Sequence, residues 1–168
     1  MSELTHFDDS GASRMVDTSA KRETERIAVA SALLRMQPTT LQRIVDRSIS
    51  KGDVCEVARL AGIMAAKKTS DLIPLCHPLP ITSVTIDFAV VSPTQLRLEA
   101  MVKVVGRTGV EMEALTAVSV AALTVYDMVK ALEHGLTIEQ IQLEQKHGGK
   151  SGSFHRETTP PHPSGTPS

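Results

Sequence analysis

The chain has 168 residues, 41% of them apolar, enough for one domain with a packed core and too many for a mainly disordered polymer. Aromatics make up 2%, namely Phe7, Phe88, Phe154 and Tyr126, so the core must come from Val, Ile, Leu, Met and Ala, and stacking platforms for nucleic-acid bases are argued against. A net charge of -1 gives no global pull toward nucleic acid or a membrane surface.

In chain order, residues 1–13 are polar, with adjacent Asp8 and Asp9 and then Gly11, and read as a flexible arm. No signal-type apolar run opens the sequence, and no stretch is expected to reach membrane-spanning length. Cys55 and Cys76 form neither a metal-type pair nor a disulfide framework. The default location is the cytoplasm. Residues 24–36 fit two readings: an Ala-rich helix, or a strand with Ile27, Val29, Ser31 and Leu33 on one face. A short helix is predicted over 39–46 and another over 53–68, where Asp53 with Glu56 three places on has the form of a cap. Ala58, Ala61, Gly62, Ala65 and Ala66 give that helix a thin surface for close packing. Pro74, Pro78 and Pro80 end helical structure. Strict alternation predicts strands over 82–90 and 96–104, joined by a turn at Ser92-Pro93-Thr94. A long helix is predicted over 111–133, with Leu115, Val118, Ala122, Val125, Val129 and Leu132 as its buried stripe and His134-Gly135 as its end. Ile141 and Leu143 mark a last short strand before Lys146. From Glu157 the composition turns to Thr, Pro, Ser and Gly, so residues 156–168 read as a disordered tail and 14–155 as a single catalytic domain. With 24–36 taken as a strand, the fold class is α+β. It is a ferredoxin-like split βαβ, with helices packed on one face of an antiparallel sheet.

Four segments carry candidate chemistry. Lys51-Gly52-Asp53 puts a cation before a helix N-terminus, where backbone amides already favour anions; its plain reading is a solvated lysine beside a cap. Lys67-Lys68 closes the same helix, where cations suit the dipole, and leads to Cys76-His77 in a proline-bracketed turn. A lone His is more often structural than catalytic, and zinc would need further ligands that nothing spaces for it. Gly106-Arg107-Thr108-Gly109-Val110-Glu111-Met112-Glu113 places two acids where strand gives way to helix. Further along that helix, Asp127 and Lys130 stand three apart and can pair. Their neighbours Val120, Leu123, Tyr126 and Met128 imply that this face is also covered. Lys146-His147-Gly148-Gly149-Lys150-Ser151-Gly152 combines cations with glycines that let backbone approach a ligand, without the strand–loop–helix frame of a Walker loop. Together the lysines point to a small, multiply negative substrate, with Glu111, Glu113, Asp127 and His77 available for proton transfer.

These segments resemble one family. Met15-Val16-Asp17, Lys51-Gly52-Asp53, Asp71-Leu72-Ile73-Pro74-Leu75-Cys76-His77-Pro78, Thr108-Gly109-Val110-Glu111-Met112-Glu113-Ala114-Leu115-Thr116-Ala117, Tyr126-Asp127-Met128 and Gly148-Gly149-Lys150-Ser151-Gly152 are similar to the cyclic pyranopterin monophosphate synthases of molybdenum cofactor biosynthesis. The likeness runs over about residues 4–154. It implies the conversion of 3′,8-cyclo-7,8-dihydroguanosine 5′-triphosphate to cyclic pyranopterin monophosphate with release of diphosphate, a lyase reaction. It implies no resident cofactor or metal, with Mg²⁺ at most accompanying the triphosphate. It also implies a ferredoxin-like fold and a homohexamer built as a trimer of dimers, with active sites at subunit interfaces and neither nucleic-acid nor membrane partners. By the same resemblance Asp127 is the acid/base, with Lys51, Lys130 and His77 beside the chemistry. Leu75, Cys76, His77, Met112, Glu113 and Glu111 line the substrate site, and Lys67, Lys146, Lys150 and Arg26 hold phosphates. Lys51 and Asp127 are expected in one pocket, assembled from different subunits. Two alternatives stay open: another nucleotide-triphosphate enzyme such as a cyclohydrolase, and a non-catalytic ferredoxin-like nucleotide-binding module.

Overall fold

The computed structural model describes residues 10–149 and 152–157; most of the arm and tail, and Lys150, lie outside the described residues. The segment that fitted two readings is a strand, β1 (Thr24–Arg35). Its ambiguity has a physical cause. Ala28, Ala30, Ala32 and Leu34 are fully buried on one face, while Val29 and Ser31 are almost as buried on the other. A central strand covered on both faces loses the clean alternation that marks a half-buried one.

After β1 come α1 (Pro38–Val45), α2 (Val54–Ala66), the short α3 (Thr69–Leu72), the hairpin β2 (Ser83–Ser92) and β3 (Gln95–Gly106), α4 (Glu111–Val129), β4 (Thr137–His147) and β5 (Phe154–His155). The sheet order is β2-β3-β1-β4-β5, antiparallel throughout. The first four strands give the ferredoxin-like arrangement, with β5 added at the outer edge of β4. Asp53 caps α2 through its carboxylate, which accepts from the Glu56 amide at 3.2 Å. α4 packs on β1, β3 and β4, and α2 packs along α4 and over β2. Where α2 meets α4, the Cβ that Gly62 lacks would lie 2.8 Å from the Ala117 carbonyl oxygen and 3.3 Å from the Ala121 methyl. The thin face is therefore used for helix contact.

Several boundaries differ from those expected. The long helix ends at Val129 with Lys130 as its C-cap, and Leu132 beyond it is 47% exposed, so it does not belong to the buried stripe. α2 stops at Ala66, and α3 is a separate turn. β4 has 11 residues and includes Lys146 and His147, where only a short strand before Lys146 was expected. β5 had no signal, since two residues give no period to read, and Arg156, expected at the start of the disordered tail, is instead hydrogen-bonded to Leu143 and Glu144 of β4. α4 is also long and apolar enough to cross a membrane by length and composition, against the expectation that no segment reaches that length. Its Ala114, Ala117, Val118, Ala121, Ala122 and Val125 are fully buried in this domain's core.

Candidate active site

Thr24 pairs with Gly106 at the end of the β1–β3 ladder. That register sets residues 20–26 beside the 106–109 connection and the first turn of α4. The helix starts without a side-chain cap and carries Glu111 and Glu113 in its first turn, where the positive end of the helix favours acids. Gly109 makes room for one of them: a Cβ there would fall 1.9 Å from a Glu111 carboxylate oxygen. Glu111 in turn pairs with the Lys146 ammonium at 3.3 Å. Glu113 is 4% exposed. Burial pushes its carboxyl up to about 6; its own backbone amide opposes this, and neighbouring Glu111 adds to it.

Two cavities meet here and share Lys21, Thr108, Gly109 and Glu111. The larger, about 730 Å³, is lined by Lys21, Arg22, Arg26, Arg107, Lys146 and His147, with Glu111 as its carboxylate and Gly148 and Gly149 on its wall. Arg26 Nε is buried without a hydrogen-bond partner, a costly state for a cationic donor unless an anion arrives. The smaller cavity, about 290 Å³, is lined by Val16, Leu75, Cys76, His77, Met112 and Glu113, among others. His77 Nε2 lies 2.9 Å from the Val16 carbonyl oxygen, which ties the proline-bracketed turn to the segment ahead of β1. Burial, then the Glu113 charge, pushes the Cys76 thiol up. Cys76 is therefore a neutral wall residue at pH 7 and a poor nucleophile.

The second set of candidates sits at the other end of α4. Lys130 donates to Asp127 Oδ1 at 2.7 Å, and Lys51 Nζ donates to the Asp127 carbonyl oxygen at 2.9 Å. The Lys130 hydrogen bond, then the Lys130 and Lys51 charges, hold the Asp127 carboxyl below the usual carboxylate range, and Asp127 pushes Lys130 up. At rest the pair is ionised, a carboxylate beside an ammonium, and each holds the other in its charged form. The Asp127 side chain is 61% exposed and Leu123 is exposed, while Met128 is buried and Val120 and Tyr126 are half-buried, so the face expected to be covered is covered only in part within one chain. At about 1.5 Å per residue, Glu111 and Asp127 stand roughly 24 Å apart along the helix. Lys51 and Asp127 come from one chain, contrary to the expectation that different subunits supply them.

Of the other expected residues, Arg26 and Lys146 line the larger cavity. Lys67 is exposed at the C-cap of α2 and lines neither cavity. Lys150 lies outside the described residues. Among the described residues, no group of three His, Cys, Asp or Glu could hold a metal ion. Lys21 and Arg22 also line the larger cavity and were not among the expected residues, because two adjacent cations ahead of a strand carry no motif. The signal that locates them is the β1–β3 register, which follows only once 24–35 is known to be a strand.

The MoaC family model matches residues 15–149. A cyclic pyranopterin monophosphate synthase of Desulfitobacterium hafniense is 59% identical over 155 residues, covering 92% of this chain and 95% of that protein. One from Thermomicrobium roseum is 58% identical over 158 residues, 94% of this chain and 95% of its own length. One from Brevibacillus brevis is 56% identical over 154 residues, with 92% and 96% covered. A match of this extent, over a range that includes both cavities and the Asp127 cluster, means that the chain belongs to the MoaC family.

Proposed function

We propose that the chain is a cyclic pyranopterin monophosphate synthase of molybdenum cofactor biosynthesis, converting 3′,8-cyclo-7,8-dihydroguanosine 5′-triphosphate to cyclic pyranopterin monophosphate and diphosphate. The two-lobed cleft carries this reading: a cationic lobe joined to a smaller one that holds a buried carboxylate, an imidazole and apolar walls. The triphosphate takes the larger lobe and the ring system the smaller. A substrate hydroxyl attacks the α-phosphorus, the bond to the bridging oxygen breaks, and the charge that develops on diphosphate is stabilised by Lys21, Arg26 and Lys146. Glu113, whose carboxyl burial pushes up to about 6, suits proton exchange at ring nitrogens. Asp127 as base and Lys130 as acid, with Lys51 beside them, serve the proton transfers of ring opening and closure.

Acid–base groups work only within hydrogen-bond reach of the reacting atoms, and roughly 24 Å of helix keeps the Asp127 cluster away from the cleft of its own chain. The reading therefore includes a homohexamer, a trimer of dimers, in which one chain's Asp127 cluster completes another's cleft. Exposed Leu60, Met64 and Leu123 supply apolar surface for such contacts. No resident cofactor is invoked, Mg²⁺ enters only with the triphosphate, nucleic acid and membrane are not partners, and the enzyme works in the cytoplasm.

The test is incubation of purified protein with the cyclic dihydroguanosine triphosphate. Appearance of pyranopterin and diphosphate in equal amounts is expected. Tight binding of the nucleotide with no turnover would replace this reading with a non-catalytic nucleotide-binding module.

A further inference from the structure

We propose that Arg156 is a positioning residue that holds Lys146 and the Gly148-Gly149 turn in place for phosphate binding; this rests on the reading of the larger cavity as the triphosphate lobe. Among the described residues, β5 pairs back on β4 through two residue pairs, Gln145 with His155 and Lys146 with Phe154. A two-residue strand is not self-sustaining, and Phe154 is 40% exposed, so packing does not secure it. Arg156 does. Its amide donates to the Glu144 carbonyl oxygen at 2.8 Å, and its Nε donates to the Leu143 carbonyl oxygen at 2.8 Å. Nε also stands 3.9 Å from the Glu144 carboxylate.

Glu144 is itself fixed. It accepts from Ser31 of β1 at 2.5 Å and from Arg97 of β3 at 2.9 Å, so Arg156 ties β5 to a hub spanning three strands. The cavity side depends on that tie. Lys146 is the residue that pairs with Phe154, and its ammonium reaches into the lobe to Glu111. The turn that follows has φ of +96° at Gly148 and +85° at Gly149, conformations that disfavour side chains. It lies close against β1: a Cβ on Gly148 would fall 2.3 Å from the Glu25 carbonyl oxygen. A close fit of this kind is lost if its far leg lifts from β4. Arg156 lines neither cavity, so it acts through Lys146 and the turn.

Isothermal titration of the full-length protein with inorganic tripolyphosphate tests this. Arg156→Ala is expected to weaken binding roughly tenfold, the worth of a lost charged hydrogen bond, while its melting temperature stays close to wild type. Lys146–Gly149 amides should exchange faster with deuterium. KM for the nucleotide should rise by a similar factor with kcat little changed, and Arg156→Lys should recover part of the affinity. Unchanged tripolyphosphate affinity in Arg156→Ala overturns the positioning role. So does a loss of affinity that follows a general drop in melting temperature in both variants. If wild type itself fails to bind tripolyphosphate, the phosphate reading of the lobe falls, and the role of Arg156 falls with it.

Discussion

Glu113 illustrates how a buried side chain can oppose stability and still be retained. Its carboxyl pKa is about 6 when folded and near 4.5 as a free side chain. Between those values the folded state keeps a proton that the unfolded state has lost, so this group's contribution falls as pH rises through the window. Above it, the unfavourable term is fully present, up to about 2 kcal/mol. Glu113→Gln does not titrate. It is expected to match wild type in thermal stability near pH 4, to exceed it at pH 7, and to lose turnover. Equal melting temperatures at both pH values would show that Glu113 is not desolvated as described. Lys51 and Asp127 make the opposite case. Both are exposed and contribute little to the core, so Lys51→Ala and Asp127→Asn should keep the fold by circular dichroism yet lose turnover by roughly two to four powers of ten. Near-wild-type turnover in either folded variant removes that residue from the chemistry. Glu111, Glu113, His77 and Lys146 were legible in the sequence because acids, an imidazole and lysines cluster at glycine and proline punctuation. Lys21 and Arg22 were not, because what makes them part of the lobe is strand register.

Element by element, legibility followed how each face is covered. The β2–β3 hairpin showed itself through strict alternation, and α2 through its cap. The doubly covered β1 fitted two readings. The end of α4 was overestimated because apolar Leu132 continues the spacing outside the core. The α2–α4 contact gives this scale its own test. At Gly62 a methyl would meet Ile86 Cδ1 at 2.4 Å and the Ala117 carbonyl oxygen at 2.8 Å. The isoleucine tip can turn away, but the backbone oxygen moves only with its helix. Overpacking costs about 1–3 kcal/mol, against about 1 kcal/mol gained from helix propensity, so Gly62→Ala should be net destabilising. Its melting temperature is expected to fall by several degrees at about 2–4 °C per kcal/mol. An unchanged or raised value would show that the two helices separate at no cost.

For the whole molecule, the separation of the two clusters makes a prediction that the separate residues do not. Lys51 and Asp127 touch within one chain, whereas Lys146 belongs to the cleft at the other end of α4. If each site takes its Asp127 cluster from one subunit and its cleft from another, inactive Asp127→Asn and Lys146→Ala chains can complement each other. In oligomers assembled from equal amounts of the two, about a quarter of the sites receive both native parts, on random mixing across heterologous contacts. Activity should return to that order. Lys51→Ala mixed with Asp127→Asn should stay inactive, because every site draws both residues from the same chain. Co-expression with two affinity tags isolates the hybrids, and turnover per site is the readout. Rescue in the second mixture would contradict the 2.9 Å contact between Lys51 and the Asp127 carbonyl. Absence of rescue in the first, with hybrids verified by mass spectrometry, would mean that no site combines two chains.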